Sequence, residues 1–166
     1  MTPIKVWPRL YIGNEQSSLQ DFAFIIQAAK EPWHRQALGY KTPGAPKDSG
    51  EYLIAYRDNR TILNLVDSPN PSYISEDILE MTPEIIASRL SLASIKDGKI
   101  LVQCNKGESR SPSLVLLFLI RKTGWAAQFK GKQEAWAAFK TLYHPFNPAA
   151  GIKHWLDKEL DSYYEG

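Results

Sequence analysis

The stretch "KILVQCNKGESRSPSLVLLFLIRK", residues 99–122, holds the chain's only cysteine, Cys104, and decides how the rest is read. "KILV" (99–102) is a short apolar run of the kind that becomes a buried strand in a mostly parallel sheet. "SPSLVLLFLIRK" (111–122) is apolar on all sides, as a helix in the centre of a domain is. Cys104 thus leaves the carboxyl end of a predicted strand, and Ser111-Pro112 opens a predicted helix. Open α/β sheets bind their ligands at such a junction. Between the two lies a polar loop, Asn105 to Arg110, whose turn Gly107 relieves.

That loop has the makings of an anion cradle. Backbone N–H groups of Asn105, Lys106, Gly107, Glu108, Ser109 and Arg110, turned inward and joined by the first free N–H groups of the next helix, form a nest for a tetrahedral dianion. Arg110, six positions after Cys104, adds a planar fork that holds two phosphate oxygens and offsets charge on a transferring phosphoryl group, which a lysine would do less well. A helix N-terminus and a guanidinium also favour the thiolate, the nucleophilic form of a cysteine. Cys104 is then a nucleophile aimed at the bound anion, and Ser111 can donate to the sulfur as it leaves. The competing reading of a lone cysteine is a small core residue, and Lys106 and Glu108 on their own would suit an ordinary solvated turn. The spacing to Arg110 and the strand-to-helix setting favour the phosphate loop.

The remainder reads as α/β: a central, mostly parallel sheet of four to five strands flanked by helices. "IKVWPRLYIG" gives two short strands broken at Pro8, and "TILNLV" (61–66) gives another. "SSLQDFAFIIQAAK" reads as a mainly apolar helix capped by Ser17 or Ser18. "SEDILEMTPEIIASRLSLASI" is helical with a break or restart near Pro83, and joins two strands by a right-handed crossover. "KQEAWAAFKTLY" and "NPAAGIKHWLDKEL" carry apolar faces at helical spacing. Residues 31–50, with three prolines, three glycines and no period, read as a long inserted loop. Within it His34, beside Arg35 and near Tyr40 and Lys41, is a candidate for the rim of the site; His144 and His154 are scattered polar residues.

Length and composition narrow the function classes. The 166 residues suit one domain, 1–166, with a single core. Twenty basic against eighteen acidic side chains leave +2, too slight for a nucleic-acid or membrane surface, and no basic stripe is present. "MTPIKVWPRLYIG" lacks the pattern of a signal peptide, so the expected location is cytoplasmic. One cysteine forms no internal disulfide, and no Cys-x-x-Cys or His-Glu-x-x-His spacing offers a metal site, so neither metal nor cofactor is expected. A monomer is expected.

"QCNKGESRS" resembles the Cys-x-x-Gly-x-x-Arg-Ser loop of the dual-specificity phosphatases, within the cysteine-dependent protein tyrosine phosphatase superfamily. "RLYIGN", "TILNLVD", "KILVQC" and "NPAAGIKHWLDKEL" are similar to that family in the same order, over roughly residues 3 to 160. The likeness is greatest to small single-domain microbial or phage members. It implies a phosphomonoester hydrolase acting on phosphorylated protein or peptide, on phosphotyrosine and, as further candidates, phosphoserine and phosphothreonine. Cys104 would be the nucleophile, through a phosphocysteine, and Arg110 the phosphate clamp. Rhodanese-type sulfur transfer fits less well, since that loop is one residue shorter to its arginine. Low-molecular-weight phosphatases and arsenate reductases place the motif at the start of the chain.

Two positions depart from the family pattern. Gln103 stands where the family usually has histidine, and it can hydrogen-bond but carries no positive charge. The family's general acid is an aspartate about thirty residues before the cysteine, a register that falls in "VDSPNPSYISED" on Asn70 and Ser72. Asp67 lies a little early and is the candidate acid; Asp77, expected in the following helix, or no residue at all, are the alternatives. A placed acid is worth about 10²- to 10⁴-fold. A catalytically weak or inactive phosphate-binding pseudophosphatase is therefore the alternative function.

Overall fold

The computed structural model describes residues 1–166 as a six-stranded sheet with five helices. The strands are β1 (Ile4–Trp7), β2 (Leu10–Gly13), β3 (Phe24–Gln27), β4 (Ile54–Arg57), β5 (Arg60–Leu63) and β6 (Ile100–Gln103). The helices are α1 (Arg35–Leu38), α2 (Glu76–Ser94), α3 (Arg110–Lys122), α4 (Lys132–Leu142) and α5 (Ala150–Glu165). Sheet order is β1-β2-β6-β3-β5-β4; the four inner strands are mutually parallel and each edge strand is antiparallel to its neighbour. The mixed, mostly parallel α/β architecture is the expected one, with six strands rather than four or five.

Two strands were not expected from the sequence. Phe24 to Gln27 is β3, the strand between β6 and β5, and not part of a helix. Three of its four residues are buried, so its apolar run carries no alternation to separate strand from helix, and strand pairing on both sides decides the matter. Ser17 caps no helix; its hydroxyl accepts from Asn14 N and donates to Met1 O. β4 comes from a hairpin with β5, turned at Asp58, whose φ of 55° is tolerated by aspartate.

Side-chain alternation divides the core. Ile12, Ile26, Leu63, Ile100 and Val102 join the main cluster with residues of α2 to α5, while Ile25 and Leu101 face the other way onto Phe22, Tyr11 and Leu19. Those four helices therefore cover one face of the sheet. α3 buries every residue from Ser111 to Ile120, as its uninterrupted apolar sequence requires; each large side chain so buried contributes about 1.5–3 kcal/mol. α2 runs without a break through Pro83 and starts at Ser75, whose hydroxyl accepts from Ile78 N.

The inserted segment is partly ordered structure rather than open loop. A helical turn, Lys30–His34, runs into α1. His34 is buried within the insertion and does not rim the site. Its Nε2 lies 2.8 Å from Glu51 O, a carbonyl that can only accept, so Nδ1 accepts from the Tyr40 hydroxyl at 3.0 Å.

Registry sets where the site forms. Gly13, Gln103 and Gln27 are paired neighbours at the carboxyl ends of β2, β6 and β3. The segments leaving these strands therefore meet at one edge of the sheet. No helix is long and apolar enough to cross a membrane.

Candidate active site

The loop Cys104–Ser109 runs from β6 into α3 with four of its six carbonyls hydrogen-bonded to other groups of the chain. Asn105 O accepts from Glu15 N at 3.1 Å, Glu108 O from Asn147 N at 2.8 Å and Ser109 O from Ser113 N at 3.1 Å. Gly107 O accepts from the buried Tyr143 hydroxyl, whose ionisation is suppressed first by burial and then by its proximity to Cys104 and Glu108. In contrast, the N–H groups of Asn105 to Ser109 donate to no group of the chain. Peptide planes with their carbonyls so committed present these N–H groups as an anion nest. Gly107 makes the turn possible: its φ is 72°, and a Cβ there would sit 2.9 Å from Gly13 O.

Cys104 is 2% exposed at the base of this loop, with Sγ 3.1 Å from the Ser111 hydroxyl. Arg110 follows as the first residue of α3. Nη1 donates to Leu65 O at 3.0 Å and Nη2 to Asn105 Oδ1 at 2.6 Å, while Nε is buried without a partner. Of five N–H groups two are engaged, and a buried unpartnered donor beside a nest of free N–H groups is an incomplete hydrogen-bond set.

Above the loop lies a cleft of about 420 Å³ lined by Asp67, Cys104, Asn105, Lys106, Glu108, Ser109, Arg110 and the Asn147–Ala149 segment. Asp67 enters it from the segment after β5, and its Oδ1 accepts from Ser109 Oγ at 2.9 Å. Asp77 is exposed in the first turn of α2 and does not line the cleft. Asn70 Oδ1 is occupied by Ser72 N and Ser72 Oγ, which makes that pair a turn cap. Lys106 is exposed at the rim. The cleft thus brings together Cys104, Arg110, Ser109 and Asp67, with Ser111 buried beneath the sulfur.

Gln103 is buried at the position before the cysteine, with Nε2 donating to Asn14 O at 2.8 Å and Oε1 accepting from Gln27 Nε2 at 2.9 Å. Gln27 Oε1 accepts in turn from Arg60 Nη1 at 3.2 Å. The sequence reading missed Gln27, Arg60, Asn14, Glu15 and Tyr143. A glutamine at the end of an apolar run (Gln27) was the one available signal, hidden by the helical assignment of its segment.

No protein-family model matches the chain. Solved structures do match in fold. The human tyrosine phosphatase-like serine/threonine/tyrosine-interacting protein shares 18% identity over 99% of both chains, with a TM-score of 0.62. Human DUSP28 shares 18% over 96% of this chain and 93% of its own, at 0.58. OH1 from the Orf virus, described as a tyrosine phosphatase with triple substrate specificity, shares 15% over 96% and 87%, at 0.56. These likenesses span nearly the whole length on both sides, and the order of strand, loop and helix around Cys104 is the one the sequence motif led us to expect. The chain has the dual-specificity phosphatase fold.

Proposed function

We propose that the chain is a cysteine-dependent phosphomonoester hydrolase acting on phosphorylated protein, on phosphotyrosine first and on phosphoserine and phosphothreonine as further substrates. One observation carries the reading. The N–H groups of Asn105 to Ser109 and the Nε of Arg110 are all without partners around Cys104 and its neighbour Ser111. A phosphoryl group placed there would accept from all of them, within in-line reach of the sulfur.

The reaction then runs in two steps. The Cys104 thiolate forms an S–P bond as the P–O bond to the substrate breaks, and Asp67 gives its proton to the leaving oxygen. Its Oδ1 faces Ser109, so Oδ2 is the oxygen that carries the proton. In the second step a water attacks phosphorus, Asp67 accepts the water's proton, and the S–P electron pair returns to sulfur as the thiolate, stabilised by a hydrogen bond donated from the Ser111 hydroxyl. Arg110 bridges two equatorial oxygens throughout. No aromatic ring lines the cleft, so a phosphotyrosine ring would lean on Pro148 and Ala149.

A second reading is a phosphate-binding module without turnover, favoured by Gln103 in place of the usual histidine. Hydrolysis of p-nitrophenyl phosphate across pH, beside tungstate binding, separates the two. Turnover by the wild type and its loss in Cys104→Ser supports the enzyme; tungstate binding with wild-type turnover no better than that of Cys104→Ser supports the module. No tungstate binding at all overturns both.

A further inference from the structure

Arg110 does not reach its orientation alone. Asn105 turns its oxygen toward the guanidinium, at 2.6 Å from Nη2, because both hydrogens of its amide nitrogen are taken elsewhere: one by Glu15 Oε2 at 3.1 Å and one by Glu31 O at 3.0 Å. A flipped amide would point donors at a cation and lose both acceptors. The backbone at Glu15, whose side chain is exposed, is fixed in turn. Its N–H donates to Asn105 O, and the preceding carbonyl, Asn14 O, accepts from Gln103. Gln103 has only one orientation open to it, because Arg60, a donor without acceptor capacity, sets the oxygen of Gln27 and Gln27 sets the oxygen of Gln103.

Two series of hydrogen bonds therefore converge on the Asn14-Glu15 corner, one donating from Arg60 through Gln27 and Gln103 and the other from Arg110 through Asn105. Gln27 and Gln103 are 2% and 1% exposed, so neither amide can exchange its partner for water without opening the sheet. The inserted segment closes the other side: Lys30 N and Arg110 Nη1 both donate to Leu65 O, and Glu31 O holds Asn105.

We propose that Glu15 is a positioning residue for the phosphate clamp, acting through Asn105 to keep the Nε edge of Arg110 turned into the loop, with the Gln27–Gln103 pair as its anchor. The inference rests on the phosphate-site reading above. It also gives Gln103 a task that needs no positive charge: the amide both donates and accepts, and here it does both.

The test is a double-mutant cycle on tungstate affinity and on p-nitrophenyl phosphate kinetics, using Glu15→Ala, Glu15→Gln and Arg110→Lys. Lysine has no planar edge to aim, so its affinity is independent of Asn105. We expect Glu15→Ala to weaken tungstate about 10-fold in the wild-type background, within the range for coupled neighbours, and to raise KM more than it lowers kcat. In Arg110→Lys the same change should cost about twofold or less, by the same non-additivity. Glu15→Gln, which keeps an acceptor for Asn105, should recover most of the loss. Equal losses in both backgrounds, or no loss in Glu15→Ala, overturn the brace while leaving the phosphate site standing. Failure of the wild type to bind tungstate overturns the site itself and the brace with it.

Discussion

Ser109 Oγ donates to Asp67 Oδ1 at 2.9 Å and accepts from Ala149 N at the same distance. One hydroxyl thus joins the Cys104–Ser109 loop, the candidate acid and the N-terminal flank of α5. Asp67 is exposed and comes from the segment after β5, and this is its one side-chain hydrogen bond in the chain.

If Asp67 is the proton donor, its loss must depend on the leaving group. Asp67→Asn should lower kcat about 10²-fold or more on an alkyl phosphate such as phosphoserine peptide, whose leaving oxygen needs the proton, and far less on p-nitrophenyl phosphate. Rates on both substrates, compared with wild type, check this. Equal small losses on both would remove Asp67 from the chemistry.

Ser109→Ala tests the positioning of that carboxylate. The change frees Asp67 Oδ1 and leaves Ala149 N to water at the cleft edge. The expected stability loss is about 1 kcal/mol, the net worth of such hydrogen bonds, read by urea unfolding. The expected catalytic loss falls on kcat for alkyl phosphates, in the same direction as Asp67→Asn but smaller.

Gly151 controls the same segment from the other side. Its N–H donates to Ser68 O at 3.0 Å, and a Cβ at Gly151 would stand 2.1 Å from that oxygen. Gly151→Ala must therefore push residue 68, and Asp67 with it, away from α5. We expect it to lower turnover on alkyl phosphates while tungstate affinity stays within about twofold, since the N–H nest is on a different segment. A parallel loss of tungstate binding would show that the loop itself had moved.

How much of this was legible in the sequence depended on whether the signal was local. Cys104, Gly107 and Arg110 could be placed because the loop's spacing and its flanking apolar runs are contiguous in the chain, and α3 because ten successive positions are buried. β3 was misread because Phe24, Ile25 and Ile26 are apolar whichever face they occupy, and only pairing to β5 and β6 makes them a strand. β4 was missed because Ile54–Arg57 shows a single buried position. Asn14, Glu15, Gln27 and Arg60 were beyond reach for another reason: their meaning lies in contacts across 33 to 90 positions of sequence. His34 reads as rim from its setting beside Arg35, Tyr40 and Lys41, whereas the Glu51 carbonyl and Tyr40 hydroxyl satisfy it in the interior.

That buried histidine should make residues 31–51 sensitive to acid. Burial lowers the pKa of His34 below its ordinary value near 6.5, with Lys30 and Arg57 adding to the effect and the bond to Glu51 O and the Glu51 charge opposing it. Above the unfolded value both states hold a neutral ring. As pH falls through it, the unfolded chain takes up the proton first, so stability drops, and the drop ends below the folded pKa. The carboxylates of Glu31 and Glu51, held down by their hydrogen bonds to Arg35 and Arg57, act in a separate window: their stabilisation is present above about 4.5 and is lost below it. The protection of amides in residues 31–51, corrected for the intrinsic exchange rate at each pH, should therefore fall between pH 7.5 and 5.5, before the carboxylates titrate, and that fall should be absent in His34→Gln. Because the insertion supplies Glu31 O to Asn105, the same pH step should weaken tungstate binding in the wild type more than in His34→Gln. Corrected protection in 31–51 that is flat across that interval would refute the role assigned to His34.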